Sequence, residues 1–145
     1  MIIKNMRYDS LIIDIGDILA KRRKQAYYAV NTILVNTYWQ IGKLIIEYEQ
    51  KGSRRAEYGA ELLKCLSEYL TVYGKGFSKS NIYLMRQFYL KYPKFQTVSG
   101  KLSWSHYSEL LSIGDDLTGQ FYEKQSLNDG WSVRELKRHF VGEIK

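Results

Sequence analysis

The feature that most constrains this chain is a helical periodicity running from residue 8 to residue 50 with no proline to stop it. Apolar or small residues recur at Tyr8, Leu11, Ile12, Ile15, Ile18 and Leu19, then Ala26, Val30, Ile33 and Leu34, then Ile41, Leu44, Ile45 and Tyr48. Steps of three and four dominate, which is the spacing of one helix face. An unbroken helix of that length would run about 60 Å. The rest of a 17.1 kDa chain is too small to cover it. Either the helix breaks near Ala20–Lys24 or Gly42, or a second copy covers the excess, so a homodimer through the 8–50 helix is one expectation. Gly16 and Gly42 each cost about 1 kcal/mol relative to alanine and mark bends or points of close approach. The run Lys21-Arg22-Arg23-Lys24 sweeps around most of a turn. Its cations cannot all face one ligand, and it reads as a solvated turn.

After a polar connector over residues 51–58, with Gly52 as its helix-ending glycine, a second helix is expected to about Tyr73. It carries Leu63, Leu66, Leu70 and Tyr73 on one stripe, and Gly74 and Gly76 end it. Ser78 then serves as an N-cap for a helix over 78–91. In that helix Ile82, Met85, Phe88, Tyr89 and Tyr92 share an arc of about 120°. Pro93 ends it. Residues 94–104 read as a loop turning at Ser99-Gly100; a two-stranded wing, residues 95–98 against 101–104, is the alternative. Three short helices follow. The first covers about 105–113, the second is capped by Asp115–Asp116, and the third starts at the capping box Ser132-Val133-Arg134-Glu135. The expected fold is all-α, a single domain over 1–145. It has a long N-terminal helix and a helix-turn-helix-like unit, with or without a wing.

Charge is distributed unevenly. No carboxylate falls between Glu68 and Glu109, and those 40 residues hold six cations and ten of the 21 aromatics. They supply +6 of the net +7. A basic, acid-free surface suits a polyanion, because each cation can neutralise a phosphate and release counterions. The arc of the 78–91 helix facing away from its apolar side carries amide, hydroxyl and cationic groups that can read base edges or phosphates. The candidate DNA contacts are therefore Lys75, Ser78, Lys79, Ser80, Tyr83, Arg86 and Gln87, with Lys91, Lys94 and Lys101 as phosphate anchors. Tyr83 and Leu90 on the same arc leave a protein-contact reading open.

Catalytic and metal-binding patterns are missing. His106 and His139 are far apart, and there is no HxxxH, HExxH, GxSxG or phosphate-loop motif. Glu49-Gln50-Lys51 and Glu135-Leu136-Lys137 match the last letters of a nuclease motif but fall on predicted helices, without the upstream aspartate in context. No cofactor or metal is expected. The single cysteine, Cys65, excludes an internal disulfide and reads as a small buried hydrophobe beside Leu62 and Leu66. No apolar run approaches the roughly 18 residues that span a bilayer, and no signal core is present at residues 1–10. A cytoplasmic protein without a membrane partner is expected.

Four ordered stretches, AYYAVNTILVNTYWQIGKLIIEYEQ, RAEYGAELLKCLSEYLTVYGKGFSKSNIYLMRQFYLKYP, KLSWSHYSELLSI and WSVRELKR, resemble the N-terminal domain of the YhcG-type bacterial proteins. The resemblance spans roughly residues 8–140. Such proteins typically continue into a PD-(D/E)xK nuclease domain and are often linked with restriction-modification or defence systems. The resemblance implies a non-catalytic DNA-binding module that positions a nuclease or restriction-system subunit, present here as a fragment or a stand-alone copy. A protein-interaction or oligomerisation domain that ignores DNA is the alternative.

Overall fold

The computed structural model describes residues 6–51, 55–95 and 100–144. Among them there are six α-helices and no strand, in agreement with the expected all-α fold. The helices are α1 (Met6–Lys51), α2 (Arg55–Leu70), α3 (Lys79–Lys91), α4 (Trp104–Leu111), α5 (Asp116–Asp129) and α6 (Val133–Ile144). A 3-10 turn, Thr71–Tyr73, follows α2. The helix α1 is continuous for 46 residues, so neither expected break occurs. The expected cap at Gly52 and the choice between wing and loop at 96–99 lie outside the described residues.

Local chemistry sets the other boundaries. Ser78 accepts the Asn81 backbone N–H at 3.1 Å and opens α3, as its position before an apolar face predicted. Asp115 does the same for Thr118 at the start of α5, and Ser132 with Glu135 forms the capping box of α6. Helix α4 starts at Trp104, one residue earlier than expected; its cap is Ser103, and a histidine completes the box. The Ser103 backbone N–H donates to His106 Nδ1 at 3.0 Å, which leaves Nε2 as the donor to the Trp131 carbonyl at 2.8 Å. His106 is buried and holds three segments together.

The helix α3 lies at the centre. Its Ile82, Met85 and Phe88 are fully buried as their shared arc predicts, while Tyr89 and Tyr92 of the same arc are half-buried. Ile82 packs with Ile45 and Leu63, joining α3 to α1 and α2. Met85 and Phe88 belong to a larger cluster with Val35, Trp104, Tyr107, Tyr122 and Leu136. Phe88 is ringed by Tyr92, Phe95, Trp104 and Tyr107 at centroid separations of 5.3, 4.8, 5.4 and 4.9 Å. The pairs with Tyr92 and Trp104 are edge-to-face, and such ring pairs add attraction to area burial. The indole N–H groups find partners too, Trp39 on the Tyr92 carbonyl and Trp104 on Asn81.

Helix α3 packs most extensively against α1, rather than against α2 as a simple helix-turn-helix pair would. Gly42 explains how the two come so close. A Cβ there would collide with the Met85 carbonyl, so only glycine lets the backbones meet. Gly100 plays the same part for the segment before α4. Its φ of +66° is left-handed, its missing Cβ faces the Tyr28 carbonyl, and its own carbonyl accepts from buried Asn31 at 3.0 Å.

One expectation about α2 is overturned. Cys65 is exposed, because Leu62, Leu63 and Leu66 turn toward α1 and α3 and leave the cysteine on the opposite side of the helix.

Candidate nucleic-acid interface and an uncovered apolar face

The expected DNA-contacting residues do not share one condition. Lys75, Lys79 and Ser80 are exposed around the glycine-marked turn into α3, where Gly74 and Gly76 hold φ of +121° and +101°. Lys94 and Lys101 are exposed in the segment after Pro93 and before α4. Ser78 spends its hydroxyl oxygen on the cap. Tyr83 is 45% exposed, and Gln87 donates to its hydroxyl at 2.8 Å. Lys91 donates to the Ile113 carbonyl at 2.8 Å, which ties α3 to the end of α4.

Arg86 is committed internally. Its Nε and Nη2 donate to both oxygens of Glu49 at 2.8–2.9 Å, a bidentate pair between α3 and α1. The Glu49 side chain is only 10% exposed, and the hydrogen bonds to it hold the guanidinium above its usual range. Glu49 and Lys51, the outer letters of the first nuclease-like triplet, thus lie on a helix with the carboxylate occupied. Glu135 of the second triplet is a cap. Among the described residues no group of three His, Cys, Asp or Glu is placed to hold a metal ion.

Glu123 of α5 is the other carboxylate drawn into the core. It accepts from the Tyr92 hydroxyl at 3.0 Å and lies 3.5 Å from that of Tyr107. Burial pushes the Glu123 carboxyl above its ordinary range, and the two hydroxyls offset part of that rise. Burial also pushes both phenols up, so they remain donors.

A second surface lies outside the expected contacts. Helix α1 has two apolar sides. Asn31, Val35, Tyr38, Gly42, Ile45 and Ile46 are buried and fall in one arc of about 100°. Leu11, Ile12, Ile15, Ile18 and Leu19 fall in the opposite arc and are 46–59% exposed. The same exposed stripe continues through Val30, Ile33, Leu44 and Tyr48 at 62–67%. Arg22, which donates to Gln25, and Thr37 interrupt it. The signal was present in the sequence, since the apolar positions fall in two arcs rather than one when placed at 100° per residue.

At its far end the stripe enters an open apolar groove of about 710 Å³ between α1 and α2. Its walls are Ile41, Leu44 and Tyr48 from α1, Leu62, Leu66 and Leu70 from α2, and Phe77 from the turn before α3. No helix among the described residues is long and apolar enough to cross a membrane.

Comparison with known proteins gives this geometry a context. The family model described as the DUF1016 N-terminal domain matches residues 14–144. The Escherichia coli (strain K12) protein named "Putative nuclease YhcG" is 36% identical over 152 aligned positions. That alignment covers 82% of this chain and 40% of the relative, so this chain spans well under half of the relative's length. No solved structure matches significantly. With the match running from the exposed half of α1 to the last turn of α6, this chain belongs to the DUF1016 N-terminal domain family.

Proposed function

We propose that this domain is a non-catalytic module that docks a nuclease-associated protein on DNA. The observation that carries the reading is the turn into α3, within the acid-free stretch 69–108, where Lys75, Lys79 and Ser80 stand exposed beside Tyr83. Two carboxylates near this window are occupied. Glu49 is held by Arg86, and Glu109 is 3.4 Å from Lys137. Lys94 and Lys101 extend the basic surface beyond α3. The name of the Escherichia coli relative supports the nuclease association, and a restriction or defence system is the setting proposed for it. Arg86 acts in this proposal as a strut that fixes α3, not as a base reader.

The test is an electrophoretic mobility titration with duplex DNA across salt concentrations. Removing both phosphate-contacting lysines, Lys75→Ala with Lys79→Ala, should flatten the slope of log K against log salt by about two, one per lost contact. No affinity at low salt, or an unchanged slope in the double variant, would sink the proposal.

A second reading, an assembly domain that pairs with another copy, is favoured by the exposed stripe on α1. The two readings are compatible, since pairing would double the basic surface.

A further inference from the structure

From the stripe and the groove we infer that two copies pair antiparallel along α1, so that the outer half of each α1 fills the apolar groove of the other. This rests on the assembly reading and goes further by fixing the register and the occupant of the groove.

Nothing among the described residues covers the exposed half of α1. An isolated helix of some 20 residues is marginal in water, and helices in proteins hold chiefly through a covered apolar face. Here that face is present and open. The exposed side chains from Leu11 to Tyr48 on the stripe present on the order of 1,000 Å² per copy. That exceeds the largest apolar patch usual on a monomer, roughly 300–600 Å², and reaches the roughly 800 Å² per partner of a standard interface.

Symmetry selects the register. The outer apolar cluster, Leu11–Leu19, and the groove-lining positions, Ile41–Tyr48, lie on the same face of one straight helix. A two-fold axis near residue 28 lies about 20 Å from the centre of the outer cluster and about 25 Å from that of the groove-lining positions. An antiparallel partner placed on that axis brings Ile12 onto Leu44 and Ile15 onto Ile41, twice per dimer. Ala26 meets Val30 beside the axis. The contact is isologous and closes, as a two-fold interface must.

Charge agrees with this register. In a two-fold antiparallel pair, each flank of the stripe meets the same flank of the partner. Arg7, Asp14, Lys43 and Glu47 all lie on one flank, and in this register Arg7 comes within about 3 Å along the axis of Glu47 and Asp14 within about 2 Å of Lys43. Both juxtapositions are of opposite sign. A shorter overlap centred on Ile15 would pair the outer halves with each other and leave both grooves open.

Cysteine cross-linking distinguishes these arrangements on the 145-residue chain. In a Cys65→Ser background, Ile12→Cys with Leu44→Cys should give a disulfide-linked dimer on mild oxidation, reversed by reductant. The two positions lie about 48 Å apart along one helix, so a link between them must join two chains. Light scattering should report a dimer at low and high salt, and Ile12→Asp should convert it to monomer with the far-ultraviolet circular dichroism melt of the core preserved. A dimer that links through Ile15→Cys alone, and not through the 12–44 pair, would overturn the register while leaving the assembly reading intact. A monomer at all concentrations, or an assembly larger than a dimer, would overturn the pairing itself. Neither outcome bears on the salt slope that tests DNA docking.

Discussion

The two ends of α1 are built from similar residues and meet opposite fates. From Asn31 to Lys51 the helix is wedged into the molecule: Val35 is fully buried, Gly42 touches the backbone of α3, and Glu49 holds Arg86. From Arg7 to Tyr27 every residue is exposed, although isoleucine and leucine are as frequent there. Hydrophobicity alone therefore does not decide what is core. The difference lies in what lies opposite. The inner half faces α2, α3 and α4, whereas nothing among the described residues is close enough to cover the outer half.

The two glycines of α1 give the sharpest contrast, and substitution at Gly42 should have the largest effect. The added Cβ of Gly42→Ala meets a backbone carbonyl that cannot rotate away, so α1 and α3 must separate. The helix-propensity gain of about 1 kcal/mol is outweighed by overpacking of about 3 kcal/mol or more. Chemical denaturation should show a clear loss of stability with an unchanged unfolding slope. Equal stability of the two proteins would mean that the inner half of α1 is not clamped on α3.

Asn31 marks the border between the halves, and its loss should have an intermediate effect. Asn31→Ala removes the buried donor to the Gly100 carbonyl and leaves that acceptor without it, a loss of about 1–3 kcal/mol. Thermal unfolding would register it as a lowered midpoint, with the segment before α4 losing hydrogen-exchange protection first. If exchange in that segment is unchanged, Asn31 is not what fastens it to α1.

Much of this was legible in the sequence. The all-α class, the caps at Ser78, Asp115 and Ser132 and the buried arc of α3 follow from short-range rules, because a cap or a helix face is fixed by residues within four positions. What was not legible depended on partners distant in sequence. Arg86 read as a base-contacting residue because its exposed-side position was known and its neighbour Glu49, 37 residues away, was not. Cys65 read as core because two flanking leucines were core, although a helix turns Cys65 to the other side. The two apolar arcs of α1 merged into one pattern because periodicity counts apolar positions without saying which arc finds a partner.

The smallest effect is expected at Gly16, where an added Cβ meets nothing within 4 Å. The same glycine-to-alanine change that harms the inner half should help the outer one, since only helix propensity is altered. The gain is about 1 kcal/mol, and it slows opening of the surrounding helix by about five-fold. Amide exchange over residues 8–27 is the measurement, because global unfolding would be governed by the core. Gly16 lies beside the exposed stripe rather than within it, so the gain should persist whether or not a second copy is bound. Faster exchange in Gly16→Ala would mean that a backbone or side chain crosses close to Gly16 in solution. The outer half would then have a partner on that flank as well, and the contrast between the two glycines would fail.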